Sequence, residues 1–105
     1  MLIQTNTDRS IEGSEELSAQ VEAAVEGALS RFTDRISRVE VHLSDENSSS
    51  RGGSHDKRCM MEARIEGRGP TAVTHEAATV EEAIAGAADK LVRSIDSTLG
   101  RLRDR

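Results

Sequence analysis

TVEEAIAGAADKLVRSIDSTLGRLRDR, running from Thr79 to Arg105, reads as one long amphipathic helix. Thr79 with Glu82 is a capping box: the hydroxyl serves the backbone N–H of Glu82, and the carboxylate reaches back. Val80, Ile84, Ala87, Ala88, Leu91, Ile95, Leu99 and Leu102 recur at helical spacing and make one apolar stripe. The polar side changes sign, from Glu81, Glu82 and Asp89 to Lys90, Arg93, Arg101, Arg103 and Arg105. That order suits the helix dipole, which favours acids early and bases late. It equally suits a cationic surface for phosphates. A one-sided helix must bury its stripe, so the rest of the chain has to supply a partner layer.

Upstream, the period falls to two. Ile36 to Ser44 sets Val39, Val41 and Leu43 against Arg38, Glu40 and His42. Lys57 to Glu66 sets Cys59, Met61, Ala63 and Ile65 against Arg58, Met60, Glu62, Arg64 and Glu66. Both read as half-buried strands. Gly67 to Pro70 is a turn, and Thr71 to Ala77 is a further strand leading into the helix. Residues 45–56, rich in Ser, Gly and Asp, form a flexible loop by composition. At the other end, Leu2 to Thr7 is a first strand. Ser14 then caps a helix from Glu15 to Phe32, with Leu17, Val21, Ala24, Val25, Ala28, Leu29 and Phe32 on one side. The order is β-α-β-β-β-α. The economical α+β solution packs both helices on one face of a four-stranded sheet and leaves the other face wet. Ala23, Ala24, Gly27 and Ala28 on the first helix, and Ala83, Gly86, Ala87 and Ala88 on the second, would let the layers approach closely.

At 105 residues one domain spanning 1–105 is expected, with a short basic tail at 100–105. Phe32 is the only aromatic residue, so the core is thin and built largely from aliphatic side chains and alanine. Nineteen acidic and fourteen basic side chains give a net charge of −5, which argues against a general polyanion binder. A single cysteine, Cys59, rules out an internal disulfide and fits a reducing cytoplasm. No stretch has the length and apolarity of a membrane span.

Candidate chemistry is sparse. His42, His55, His75 and Cys59 match no zinc spacing, so no metal is expected. His75 can face either way. Cys59 falls on the inward side of a strand, with no helix start or basic cage to make it a thiolate. No Ser–His–acid arrangement, phosphate loop or dinucleotide fingerprint is present, so the chain is read as non-enzymatic, without cofactor or small-molecule substrate. The mixed charges of the wet sheet face predict cross-strand ion pairing. One basic set stands out: Lys90, Arg93 and Arg101 share a polar edge of the second helix, and Arg31 and Arg35 close the first. If the helices run in the same direction, these bases converge at one end. Such a patch would suit the phosphates of a folded RNA, read by shape.

The string Ala83-Ile84-x-x-Ala87-Ala88-Asp89-Lys90-Leu91-x-Arg93, with Val41-His42-Leu43-Ser44 and the β-α-β-β-β-α order, resembles the bacterial ribosome hibernation-promoting factor family. That family also goes by ribosome-associated inhibitor, ribosomal subunit interface protein and sigma-54 modulation protein. The resemblance covers nearly the whole chain and implies the short form, without a C-terminal dimerisation domain. It implies a non-catalytic protein of the stress response. Its members bind the small ribosomal subunit between head and body and cover the messenger and transfer RNA sites. Lys90 and Arg93 are then the first candidates for ribosomal RNA contact, Arg31 next. The free protein is expected to be a monomer. Ser97 stands where the family often carries another base. Glu15, Glu22 and Glu26 stand where its first helix commonly shows bases. The alternative reading is a protein–protein module, or a homodimer joined through a sheet edge or the acidic first helix.

Overall fold

The computed structural model describes residues 1–8, 11, 13–45 and 57–103, with backbone alone for 101–103. Strands β1 (Leu2–Thr7), β2 (Ile36–Asp45), β3 (Lys57–Ile65) and β4 (Gly69–Ala77) form one sheet in that spatial order. β1 pairs parallel with β2, and the other two pairings are antiparallel. Helices α1 (Glu15–Ala28) and α2 (Val80–Arg103) complete the expected α+β order. Residues 46–56, and with them most of the expected flexible loop and His55, lie outside the described residues; Asp45 and Lys57 close its base with a 3.1 Å ion pair.

Both helices lie on one face. Val21, Val25 and Leu29 share a single core with Val39, Val41 and Leu43 of β2 and Cys59, Met61, Ala63 and Ile65 of β3. Ala83, Ile84, Ala87, Leu91, Ile95 and Leu99 of α2 complete it. Among the described residues no polar or charged side chain is buried. α2 covers β3 and β4, while α1 lies beside α2 and over β1.

Direction follows from the contacts. His75 lies against Gly86, the Thr74 carbonyl accepts from Lys90, and Thr71 shares a hydrogen bond with Ser94. Residue numbers rise along β4 as they fall along α2, so the two are antiparallel. β4 runs parallel to β2, and α1 must return against the parallel β1–β2 pair. The two helices therefore run the same way.

Local chemistry sets the element ends. Ser14 Oγ accepts from the Leu17 N–H at 3.1 Å, and Thr79 Oγ1 accepts from the Glu82 N–H at 3.1 Å. The capping box differs in one detail from its sequence reading. Thr79 donates its hydroxyl proton to the Glu82 carboxylate at 3.0 Å, so the acid orients the capping hydroxyl. The first helix also stops earlier than its stripe suggests. Leu29 leaves helical geometry at φ −103°, ψ 17°, and a 3-10 turn, Ser30–Phe32, follows. The tighter turn swings Phe32 into the core, where 7% of it stays exposed.

β4 begins at Gly69, two residues before its expected start, because Gly67 and Gly69 take positive φ of 79° and 90°. The strands therefore close after only three turn residues. β2 carries an irregularity between Ile36 and Arg38. The extra residue, Ser37, shifts the parity so that Ile36 and Val39 both point inward, where each is buried.

The small helix residues divide in two. A Cβ on Gly86 would overlap the His75 ring, and Ala83 and Ala87 are fully buried, so this face of α2 does permit close approach. Ala23 and Gly27 are exposed, and a Cβ on Gly27 would meet open space, so the same expectation fails there. Opposite outcomes follow for one chemical change. Gly27→Ala should stabilise the protein by about 1 kcal/mol through helix propensity. Gly86→Ala should cost about 1–3 kcal/mol in overpacking, more than that gain. Thermal denaturation of the two variants checks the contrast, and adding His75→Ala to Gly86→Ala should recover the loss.

Candidate nucleic-acid interface

The outward face of the sheet does not supply a basic surface. Arg38 stands directly opposite Arg64, and Glu40 opposite Glu62. At these two positions like charges stand in register, so neutralisation there runs along the strand. Arg38 meets Glu40 at 2.7 Å, and His42 lies 3.8 Å from the same carboxylate. The expected cross-strand pairing thus fails at these positions, whereas Asp45 does pair with Lys57 across β2 and β3 and Arg58 stands opposite Glu76: the period-two pattern assigns a face, and the register decides who stands opposite whom. The outward side of α1 is acidic, with Glu15, Glu22 and Glu26 all exposed. It offers a phosphate backbone no cationic donor.

Two bases, Arg31 and Arg35, follow α1, and the first of them meets the second half of α2. Arg31, in the 3-10 turn after α1, reaches across to α2: its Nη2 is 3.5 Å from Asp96 Oδ2. Its guanidinium also lies 4.8 Å from the centroid of the Phe32 ring. The ring and the ion pair fix where the charge sits. Arg93, one turn before Asp96 on α2, is exposed and makes no ion pair among the described residues. Arg35, just before β2, is exposed and likewise without an ion pair among them. Arg31 thus meets an acid that follows Arg93 by three residues on α2.

Lys90 sits apart. Its ammonium donates to the Thr74 carbonyl at 2.8 Å, on the free edge of β4. The contact satisfies an edge acceptor and ties helix to sheet. Lys90 is exposed, so it offers its remaining donors to solvent on the β4 side of α2, opposite the side that meets Arg31. Arg101 belongs to α2 by its backbone, and its side chain lies outside the described residues. Asp96 is the residue that sequence reasoning passed over. Its signal was modest: it is the single acid between Lys90 and Arg103, three residues after Arg93.

Other chemistry finds no support in the geometry. Cys59 is fully buried, and desolvation pushes its thiol up to about 12, away from thiolate reactivity. His75 stands directly opposite it in the sheet, on the helix-covered face. Among the described residues no three His, Cys, Asp or Glu side chains gather to hold a metal. Nor, among them, is any helix long and apolar enough to cross a membrane.

The sequence profile of the Sigma 54 modulation protein / S30EA ribosomal protein family matches residues 5–103. The chain belongs to this family. The match takes in every strand and both helices, from the middle of β1 to the end of α2. Among solved structures, the chain is similar to the N-terminal domain of Protein Y from Thermus thermophilus, with a TM-score of 0.73 and 22% identity. That likeness covers 93% of this chain and 99% of that one. A ribosomal subunit interface protein from Coxiella burnetii gives a TM-score of 0.72 at 16% identity, covering 95% of this chain and 99% of the other. At these identities the likeness speaks for the fold. No curated protein matches the chain by sequence. In this S30EA-family chain, family membership and the basic helix ends rest on separate observations.

Proposed function

We propose that this S30EA-family protein binds the small ribosomal subunit in the cytoplasm. There it occludes the sites of messenger and transfer RNA, and so silences translation in stress or stationary phase. The family match over residues 5–103 carries the reading. Electrostatics supports it locally. Arg31, Arg35 and Arg93 offer guanidinium groups on a chain whose net charge is −5. Guanidinium groups suit phosphate oxygens because they donate in a fixed planar fork. A rigid fold presenting a few such groups recognises the shape of a folded RNA rather than its base sequence. No catalytic step is required: the protein works by occupying space. Lys90 and Arg101 extend the proposed contact surface along α2.

The test is co-sedimentation of the chain with purified small subunits across a salt series. Binding should weaken steeply, with a log–log slope of about −0.7 to −0.9 for each phosphate contact. Three to five such contacts lower affinity by roughly 20- to 500-fold between 50 and 200 mM salt. A flat salt response would sink the phosphate reading. A parent chain that stays at the top of the gradient at every salt concentration would sink the ribosome reading itself.

A second reading has one structural feature in its favour. The β4 edge is blunted by Pro70 and by the Lys90 contact, whereas β1 is an edge strand without any charge or proline, and Leu2 on it is 62% exposed. Such an edge is open to strand addition by a second copy. Sedimentation velocity at micromolar concentration separates the two readings, since a homodimer would move as a 23 kDa species, twice the 11.4 kDa chain.

A further inference from the structure

We propose that Asp96 is a specificity-determining residue that suppresses binding to RNA in general; the proposal rests on the phosphate-binding reading above. Two observations carry it. Asp96 is the partner of Arg31 at 3.5 Å, and Arg93 lies one helical turn away with no ion pair of its own among the described residues. The carboxylate therefore pairs with one of the guanidinium groups from which the proposed contact is built and stands three residues from the other along α2. Its side chain is 48% exposed, and that of Arg31 is 62% exposed, so neither is locked away from an incoming ligand.

The physical consequence is a threshold. A single phosphate approaching Arg31 must displace or share its carboxylate partner, and it meets Asp96 as a like charge. Exposed ion pairs are weak, so the barrier is small for a ligand that makes many contacts at once. It is significant for one that makes only one or two. Flexible single-stranded RNA belongs to the second class, because this surface offers no exposed aromatic ring on which to stack its bases. A rigid RNA that places several phosphates together belongs to the first. Asp96 thus disfavours the wrong partner more than the right one, which is how discrimination by unfavourable contacts operates.

The experiment compares the parent chain, Asp96→Asn and Glu22→Gln on poly(U) RNA, by fluorescence anisotropy over a salt series. Glu22→Gln removes the same charge from the outward side of α1 and controls for net charge. Asp96→Asn should bind poly(U) about three- to tenfold more tightly than the parent, with a salt slope steeper by about one unit. Glu22→Gln should bind as the parent does. Equal binding by parent and Asp96→Asn overturns the proposal, and so does an equal gain in Glu22→Gln. Asparagine is close to isosteric, and a matching thermal midpoint confirms that the fold is retained. Co-sedimentation of the same three proteins with small subunits keeps the readings apart. If the parent fails to bind subunits, the ribosome reading falls, while the poly(U) comparison still decides the role of Asp96.

Discussion

Arg31→Gln combined with Arg93→Glu should weaken binding to small ribosomal subunits by roughly a hundredfold or more at moderate salt, and flatten the salt slope by about two units. Arg93 is exposed and pairs with no acid among the described residues, so its reversal deletes a donor to phosphate without orphaning a partner. Glutamate there also stands three residues from Asp96, turning an attractive end of α2 into a repulsive one. Glutamine at position 31 removes both the guanidinium over the Phe32 ring and the charge that faces Asp96. The expected cost in stability is small. An exposed ion pair contributes about 0–1 kcal/mol, and a surface cation over a ring about 0.5–1 kcal/mol. Co-sedimentation read beside a thermal melt checks both halves: lost binding with a near-parental midpoint supports the interface, and parental binding removes these two residues from it. Lys90→Glu would be a poorer probe. It breaks the hydrogen bond to Thr74 and sets a carboxylate against a carbonyl on the sheet edge.

Leu91→Ala should lower the thermal midpoint by about 10–25 °C. Leu91 is 1% exposed and belongs to the core cluster between α2 and the sheet. Truncating such a leucine costs about 2–5 kcal/mol, from lost burial plus the cavity left behind. In a chain of this size each kcal/mol is worth roughly 4–8 °C. The core offers little slack, because its buried alanines at 63, 77, 83, 87 and 88 have no side chain long enough to move into the gap. Circular dichroism at 222 nm against temperature measures the effect, and a shift below about 5 °C would show that the α2 seam relaxes more easily than its packing implies.

The second half of the fold was legible in the sequence because each of its signals is local. Thr79 with Glu82, the stripe from Ile84 to Leu99, and the alternation Cys59-Met61-Ala63-Ile65 all depend on residues within a few positions of one another. Their elements appear where the periodicity placed them. Two of the misreadings share a physical cause: each depends on a partner distant in sequence. The stripe of α1 runs on to Phe32, yet the chain leaves the helix at Leu29, because a 3-10 turn carries that ring into the core. Small residues at 23, 27, 83 and 86 look alike in sequence, but only those on α2 meet a neighbouring layer.

The candidate interface was legible only as a set of bases. Lys90 and Arg93 are three residues apart and share a helix face in any reading, yet Lys90 is drawn to the Thr74 carbonyl while Arg93 makes no ion pair among the described residues. Arg31 and Asp96 are 65 positions apart, and no pattern along the chain links them.

By itself the sequence determined which residues form strands and helices, which side of each is apolar, and which charges sit near the helix ends. These follow from periodicity, caps and turn chemistry, which act over one or two turns of backbone. The tertiary structure decided who meets whom. The parallel β1–β2 pairing and the two antiparallel hairpins oblige both helices to run the same way. That shared direction is what brings the end of α1 beside α2 and sets Asp96 against Arg31. Electrostatic interaction depends on distance in space, and only the packing of the two helices on one sheet sets that distance.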